Sequence, residues 1–256
     1  MAGAGAETGP RHILFGHYPS WTARIAERID HARFVPSFSD FLRSDPDAFD
    51  AAIPTRIEHY DQLRGRGRAF VPNAEAVDLC EDKLALREAL RSLGFGESLP
   101  AGVEGPQDYP CVVKPRRGEF GADIRILKAP EAVPEGYYLE RFVAGATEYA
   151  FHLLRSGGRT AYHQAIRYEM AEPEAIRSDA SPPKTARLVD GAPLLDWAER
   201  MLDAIGFEGV CCLNFKLVER QPRLFEINPR FGGSLVFDIT RFTGAYCDAL
   251  DAIRQD

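Results

Sequence analysis

The stretch that decides the fold reads "GVCCLNFKLVERQPRLFEINPRFGGS" over residues 209–234. Two apolar runs flank "ERQP", a turn-like break, so the stretch reads as a β-hairpin. Side chains alternate across a strand, so Asn214 and Lys216 share one face of the first strand and Glu226 and Asn228 share one face of the second. With residue 218 set opposite 224, Lys216 faces Glu226 and Asn214 faces Asn228, and a slip of two residues keeps the same four groups together. Leu213, Phe215, Leu217, Phe225 and Ile227 then form the reverse, apolar face. Taken alone, the polar face is an ordinary solvent-facing hairpin surface. Arg230 and Gly232-Gly233 change that reading. Carboxylate and amide oxygens at one end of a sheet suit Mg²⁺, which binds few protein oxygens and leaves its other positions to phosphates. A guanidinium beside them holds phosphate bidentately, and paired glycines let a ligand approach the backbone. The hairpin end reads as a seat for a metal and a nucleotide.

The rest of the chain is able to carry such a seat. It has 256 residues and 45% hydrophobic content, enough for a sizeable core in one large domain or a few small ones. A balance of 31 Lys+Arg against 38 Asp+Glu gives a net charge of −7, which argues against nucleic acid as a partner. The five cysteines, at 80, 111, 211, 212 and 247, lack C-x-x-C or zinc-like spacing, which points to a reducing compartment. The opening "MAGAGAETGPRHILFG" holds no signal-like apolar run, and no apolar stretch of ~18 residues follows, so a cytoplasmic protein with no membrane partner is expected.

Strand-helix alternation over residues 11–74 argues a small α/β layer. Its strands are "HILFG" (12–16), "ARFVPSF" (32–38), "DAAIPT" (50–55) and "RAFVPN" (68–73), with helical spacing at Trp21, Ile25 and Ile29 and a polar helix near 56–64. "EDKLALREALRSLGFG" (81–96) reads as a helix capped by Asp82, with Leu86, Leu90 and Leu93 inward and Gly94 as its stop. Residues 109–127 give two strands joined by a glycine-bearing loop, and 136–154 give two more, broken at Ala144-Gly145. Residues 170–193 read as a long loop, and a helix over 193–205 turns Leu194, Ala198, Met201, Leu202 and Ile205 inward.

Lys114 leaves a strand beside a loop carrying Gly118 and Gly121, an arrangement suited to a mobile lid whose amides and cations face phosphates. The bland alternative is a basic hairpin turn, and the loop is no P-loop. Lys83 at a helix start reads alone as a surface lysine. Glu140 precedes the short apolar linker Phe142-Val143, which offers main-chain groups to a purine edge; a salt-bridged strand is the competing reading.

Taken in order, "DKLALREAL", "VVKPRRGEFG", "LERFVAGATEY" and "GVCCLNFKL…LFEINPRFGGS" resemble the ATP-grasp superfamily over residues 75–240. The resemblance implies an α/β fold of α+β sub-domains: an ATP-grasp fold behind a short N-terminal α/β pre-ATP-grasp domain. The expected divisions are 1–74, a nucleotide-lid sub-domain over 75–142, and a sub-domain over 143–256 carrying the metal and catalytic motif. It implies ATP and Mg²⁺ as cofactors. Lys83 and Lys114 then contact phosphates, Glu140 with the main chain of Arg141, Phe142 and Val143 forms the adenine hinge, Glu148 takes the ribose, and Lys216 joins the ATP site. Glu226 and Asn228 match the metal ligands; Asn214 stands where many members have Asp or Glu. Arg230 matches the arginine that steadies phosphate or the intermediate, and Phe120 makes the lid tip bulkier than usual.

Members with this motif resemble carboxylate–amine ligases, which form an amide through an acyl phosphate and release ADP. Such chemistry rests on positioning and charge neutralisation, in keeping with a sequence that shows no nucleophile-base pair. The implied partners are a small carboxylate and an amine, with Arg167, Lys184, Arg187 and Ser234 as substrate candidates. A homodimer is left open. A phosphotransferase that stops at phosphorylation, or an ATP-binding module without catalysis, shares these motifs.

Overall fold

The computed structural model describes residues 11–29, 32–34, 38–118, 121, 123–178 and 180–254, the side chains at 19, 32–34 and 38 excepted. The chain divides into two compact units, residues 1–71 with 230–256, and residues 72–229.

The first unit is built on a parallel sheet. β1 (Ile13–Phe15), α1 (Pro19–Ala26), β2 (Ala32–Phe34), α2 (Phe38–Arg43), β3 (Ala51–Ile53) and α3 (Tyr60–Leu63) follow one another, and the strands lie in the order β2-β1-β3. Every residue of β1 and β3 is buried, as expected for parallel strands covered on both faces. Leu14 and Ala52 pack with Phe41 and Leu63.

The second unit opens with α4 (Ala74–Glu81) and α5 (Lys83–Leu90) and then builds an antiparallel sheet from β4 (Cys111–Pro115), β5 (Arg125–Leu127) and β6 (Tyr137–Arg141), ordered β5-β4-β6. β7 (Thr147–Ser156), β8 (Arg159–Glu169), β9 (Thr185–Val189), α6 (Leu195–Ala204), β10 (Gly209–Val218) and β11 (Gln221–Asn228) complete it, with the sheet order β11-β10-β7-β8-β9. One face of that sheet, with Phe151, Leu213 and Phe215, packs on Trp197, Met201 and Leu202 of α6 and on Leu86 and Leu90 of α5. Buried Arg155 of β7 ties α6 down by pairing with Glu199 at 3.4 Å and with Asp203. The chain then returns to the first unit through α7 (Ile239–Ile253), whose Tyr246 hydroxyl donates to Ala52 O at 3.0 Å and accepts from Phe70 N at 2.7 Å. Among the described residues no helix is long and apolar enough to cross a membrane.

Local signals held where chemistry was local. Asp82 caps α5 by accepting from Ala85 N at 3.1 Å, and Gly94, with φ of +89°, ends that region. Four expectations need correction. Leu93 is 48% exposed, because the chain leaves the α-helical phase at a π-type turn over Arg91–Phe95. Residues 68–73 form no strand; Arg68 O accepts from Ala52 N at 2.7 Å, but Pro72 has no N–H to extend a ladder. The loop over 170–193 contains an edge strand, β9, whose half-exposed pattern gave no hydrophobic alternation. Leu86 and Leu90 of α5 pack on the large sheet, and residues 230–256 group with the first unit. Finally, the hairpin takes the register slipped by two residues, which pairs Asn214 with Glu226 and Cys212 with Asn228, but Lys216 pairs with Arg223 and leaves the shared row. A bulge sets this register: Phe215 pairs with Leu224, so Phe225 is the extra residue, and Leu224 takes the core position expected for Phe225. Residues 35–37 and Phe120 lie outside the described residues.

His59 is buried against Phe41, with ring centroids 4.1 Å apart. Burial pushes its pKa down to about 4, against a smaller opposing pull from Glu58. An unfolded histidine takes up its proton near about pH 6.5. Between these values the unfolded chain binds more protons, so this contribution is complete above the unfolded pKa and is lost as pH falls toward the folded one. Chemical denaturation followed from pH 7 to 5 should show falling stability, with a shallower fall in His59→Phe; an unchanged slope in that variant would contradict the assignment.

Candidate active site

The bulge at Phe225 shapes the site. An extra residue disrupts the ladder locally, and the Phe225 carbonyl accepts from Lys114 Nζ at 3.3 Å, linking β4 to β11. On the same stretch, Glu226 Oε1 accepts from Asn214 Nδ2 at 2.7 Å and from Asn228 Nδ2 at 2.9 Å, and its Oε2 lies 3.6 Å from Lys83 Nζ. Burial alone would raise the Glu226 pKa; Lys83, the two amides and Lys114 outweigh it and hold the carboxyl below its usual range.

Lys114 is 4% exposed and pairs with Glu140 at 2.5 Å. Burial disfavours its charge, but Glu140, assisted by Tyr138, prevails and the lysine pKa is raised. Glu140 also takes Arg87 Nη1 at 3.1 Å, while that guanidinium donates to Pro100 O. Lys83 donates to Gly118 O, and its main-chain N–H donates to Arg116 O at 2.8 Å, so the base of the glycine loop rests on the start of α5. Gly121, at φ +70°, is pressed against the facing loop: a Cβ there would lie 2.6 Å from Arg177 O, so only glycine permits the approach.

The linker after β6 is held by Arg141 N donating to Ala101 O at 3.0 Å and Phe142 N donating to Pro110 O at 3.1 Å. Lys216 Nζ donates to Val143 O at 3.0 Å and lies 5.3 Å from the Phe142 ring centroid. Its pKa is lowered by burial, with Glu148 opposing. One residue escaped the sequence reading. Arg177, in the 170–184 loop, pairs with Glu148 at 2.6 Å, donates to Asn214 Oδ1 at 3.1 Å and stacks over Tyr168 at 4.6 Å. Nothing in "EAIRSDA" marks it; only the fold delivers it.

The structure thus gathers Lys83, Lys114, Glu140, Val143, Glu148, Asn214, Lys216, Glu226 and Asn228 within one unit. Two substrate candidates fall elsewhere. Paired residues of neighbouring strands share a face, and the row Phe215–Tyr149–Arg167–Arg187 is on the core side, opposite the row Asn214–Ala150–Ile166–Leu188. Arg167 and Arg187 therefore point away from Glu226, and Arg167 pairs with Glu169 at 2.5 Å. Lys184 is exposed just before β9. Arg230 and Ser234 lie in the first unit, where Arg230 is buried and its Nη1 donates to Phe231 O at 3.2 Å.

The donor set fits Mg²⁺ on one condition. Among the described residues no group of three His, Cys, Asp or Glu side chains is placed to hold a metal. One carboxylate and one or two amide oxygens suit a cation that takes its remaining ligands from phosphates and water. Asn214 is less suited than Asn228, because its carbonyl oxygen already accepts from Arg177.

This arrangement, two antiparallel sheets joined by Lys114 at a carboxylate-amide hairpin, is the ATP-grasp fold, which solved structures share. D-alanine–D-alanine ligase from Bacillus anthracis superposes with a TM-score of 0.59 at 14% identity, over 95% of this chain and 97% of that one. L-amino acid ligase from Bacillus licheniformis gives 0.57 at 17% identity over 88% and 68%, and a putative ATP-grasp superfamily protein from Archaeoglobus fulgidus gives 0.60 at 16% over 94% and 87%. No family model matches the chain, and no curated protein matches it by sequence.

Arg177 and Glu148 are mutually dependent in this geometry. A double-mutant cycle of Arg177→Gln and Glu148→Gln, read by chemical denaturation, should return a coupling of about 1–2 kcal/mol, and one below about 0.3 kcal/mol would dissolve the pair.

Proposed function

We propose that the protein is an ATP- and Mg²⁺-dependent ligase that joins a small carboxylate to an amine and releases ADP. The observation that carries this reading is the Glu226 carboxylate, fixed by Asn214 and Asn228 and facing Lys83, with Lys114 bound to the neighbouring carbonyl. In the reaction a substrate carboxylate accepts the terminal phosphoryl group of ATP, and the amine then displaces phosphate from the acyl carbon. Little covalent help is needed from the protein; placement of charge decides the rate.

Each residue has a definite task in this reading. Glu226 and Asn228 offer oxygens to Mg²⁺, which when bound neutralises phosphate charge. Lys83 and Lys114 bind phosphate oxygens, and the raised pKa of Lys114 keeps its ammonium charged at neutral pH. Glu140 with the linker over 141–143 receives the adenine, Glu148 the ribose hydroxyls, and Lys216 steadies the linker through Val143 O. Arg230 steadies the transferring group. The B. anthracis ligase has also been solved with ATP, and a carboxyaminoimidazole synthase of the same fold with ADP, which supports nucleotide binding here.

ADP release with Mg²⁺-ATP and pools of acids and amines provides the test. Turnover should require acid and amine together, and Glu226→Gln should lower it at least about 100-fold with an unchanged circular dichroism spectrum. ADP formed with acid alone would favour a phosphotransferase, and undiminished turnover in Glu226→Gln would remove the metal assignment.

A further inference from the structure

Arg177 lies on the site face of the large sheet and has no task in the chemistry above. Asn214 of β10 pairs with Ala150 of β7, Glu148 lies two residues before Ala150, and Tyr168 of β8 pairs with Glu148, so all four share that face. The Arg177 guanidinium bridges two of them: Nε donates to Glu148 Oε1 at 2.6 Å and Nη2 to Asn214 Oδ1 at 3.1 Å. The Tyr168 ring supports it, with its centroid 4.6 Å away. The backbone just beyond is closed by a reciprocal pair, Ser178 N donating to Ser181 O at 3.2 Å and Ser181 N to Ser178 O at 3.1 Å.

This bridge decides what Asn214 can offer. Its Oδ1 accepts from Arg177 and from Cys212 Sγ at 3.6 Å, while its Nδ2 donates to Glu226 Oε1 at 2.7 Å. A side-chain amide has one accepting end and one donating end, so turning the oxygen toward a metal on Glu226 would lose all three contacts. Asn228 differs. Its Nδ2 also donates to Glu226, but its Oδ1 accepts no hydrogen bond among the described residues. One amide is committed to aiming Glu226, and the other keeps an oxygen for an ion. Burial works against the charge on Arg177; Glu148, with help from Tyr168, prevails, and the guanidinium pKa is raised. Its Nη1 makes no hydrogen bond among the described residues, which leaves a donor for a phosphate oxygen.

The local charge adds up in the same direction. A second divalent ion held by one further carboxylate would bring a net single positive charge to this place. Neutral Asn214 with the Arg177 guanidinium brings the same charge without an ion. We propose that Arg177 is a built-in cation standing where a second metal ion would otherwise bind, so that the site takes one Mg²⁺ per nucleotide, on Glu226 and Asn228, while Asn214 positions Glu226. The inference rests on the ligase reading for its nucleotide and its metal, and on the Arg177 bridge for the number of ions.

Equilibrium dialysis of the full-length protein against Mn²⁺ and β,γ-imido-ATP counts bound metal and bound nucleotide without turnover. The unaltered protein should hold one Mn²⁺ per nucleotide. Arg177→Gln combined with Asn214→Asp trades the fixed charge for a carboxylate and should hold two. Asn214→Asp alone should stay at one, because Arg177 neutralises the new carboxylate; this variant carries the test if the double variant does not fold. In EDTA, where no ion contributes, Arg177→Gln should bind ADP at least about fivefold more weakly. Two ions per nucleotide in the unaltered protein or in Asn214→Asp, one ion in the folded double variant, or an unchanged metal-free ADP affinity in Arg177→Gln overturns the built-in cation and leaves the ligase reading standing. Nucleotide bound with no Mn²⁺ overturns the metal seat and this inference together. The predicted counts without ADP release from any acid and amine pair keep the built-in cation and overturn the ligase reading.

Discussion

The extra residue at Phe225 is the constraint on which the site depends. Were β10 and β11 paired without a bulge, the ladder would occupy the backbone there. With it, the Phe225 carbonyl is given to Lys114, Glu226 lies opposite Asn214, and Leu224 fills the core position on the other face. One backbone irregularity thus aims a carboxylate, presents an acceptor and keeps the hydrophobic layer intact. Bulges are a common device for re-aiming side chains beside active sites.

The second organising feature is charge kept in pairs. Lys114 and Glu140 are both nearly inaccessible, with side chains 4% and 6% exposed, and Arg87 adds a third charge to the group. Removing one member of a buried pair costs about 3–5 kcal/mol because the other is left uncompensated, so the fold itself depends on these residues. Arg177 does the same for Glu148. In the proposed function these ion pairs hold the nucleotide-facing groups at fixed positions, so that little reorganisation accompanies phosphoryl transfer.

Much of this was legible in the sequence wherever the signal is local. The hairpin, the Asp82 cap, the strand-end lysine and the break at Gly145 depend on neighbours within a few residues, and they appear as read. What depends on register did not show. The hairpin sits two residues away from the register that sets 218 opposite 224, and the bulge adds one more, so Lys216 faces Arg223 and not Glu226. Arg167 and Arg187 looked like an anion patch, but strand parity puts them on the core side of the sheet. Arg177 and Arg87 are ordinary basic residues until the fold brings carboxylates from other elements to them.

The central claim is that Glu226 and its two amides hold a cation together with nucleotide phosphates. Calorimetric titration with ADP, in magnesium and again in EDTA, addresses it most directly. The account predicts one binding site, with affinity at least tenfold higher in magnesium, and loss of that difference in Glu226→Gln. Equal affinity in the two buffers, or no heat of binding in either, would contradict it.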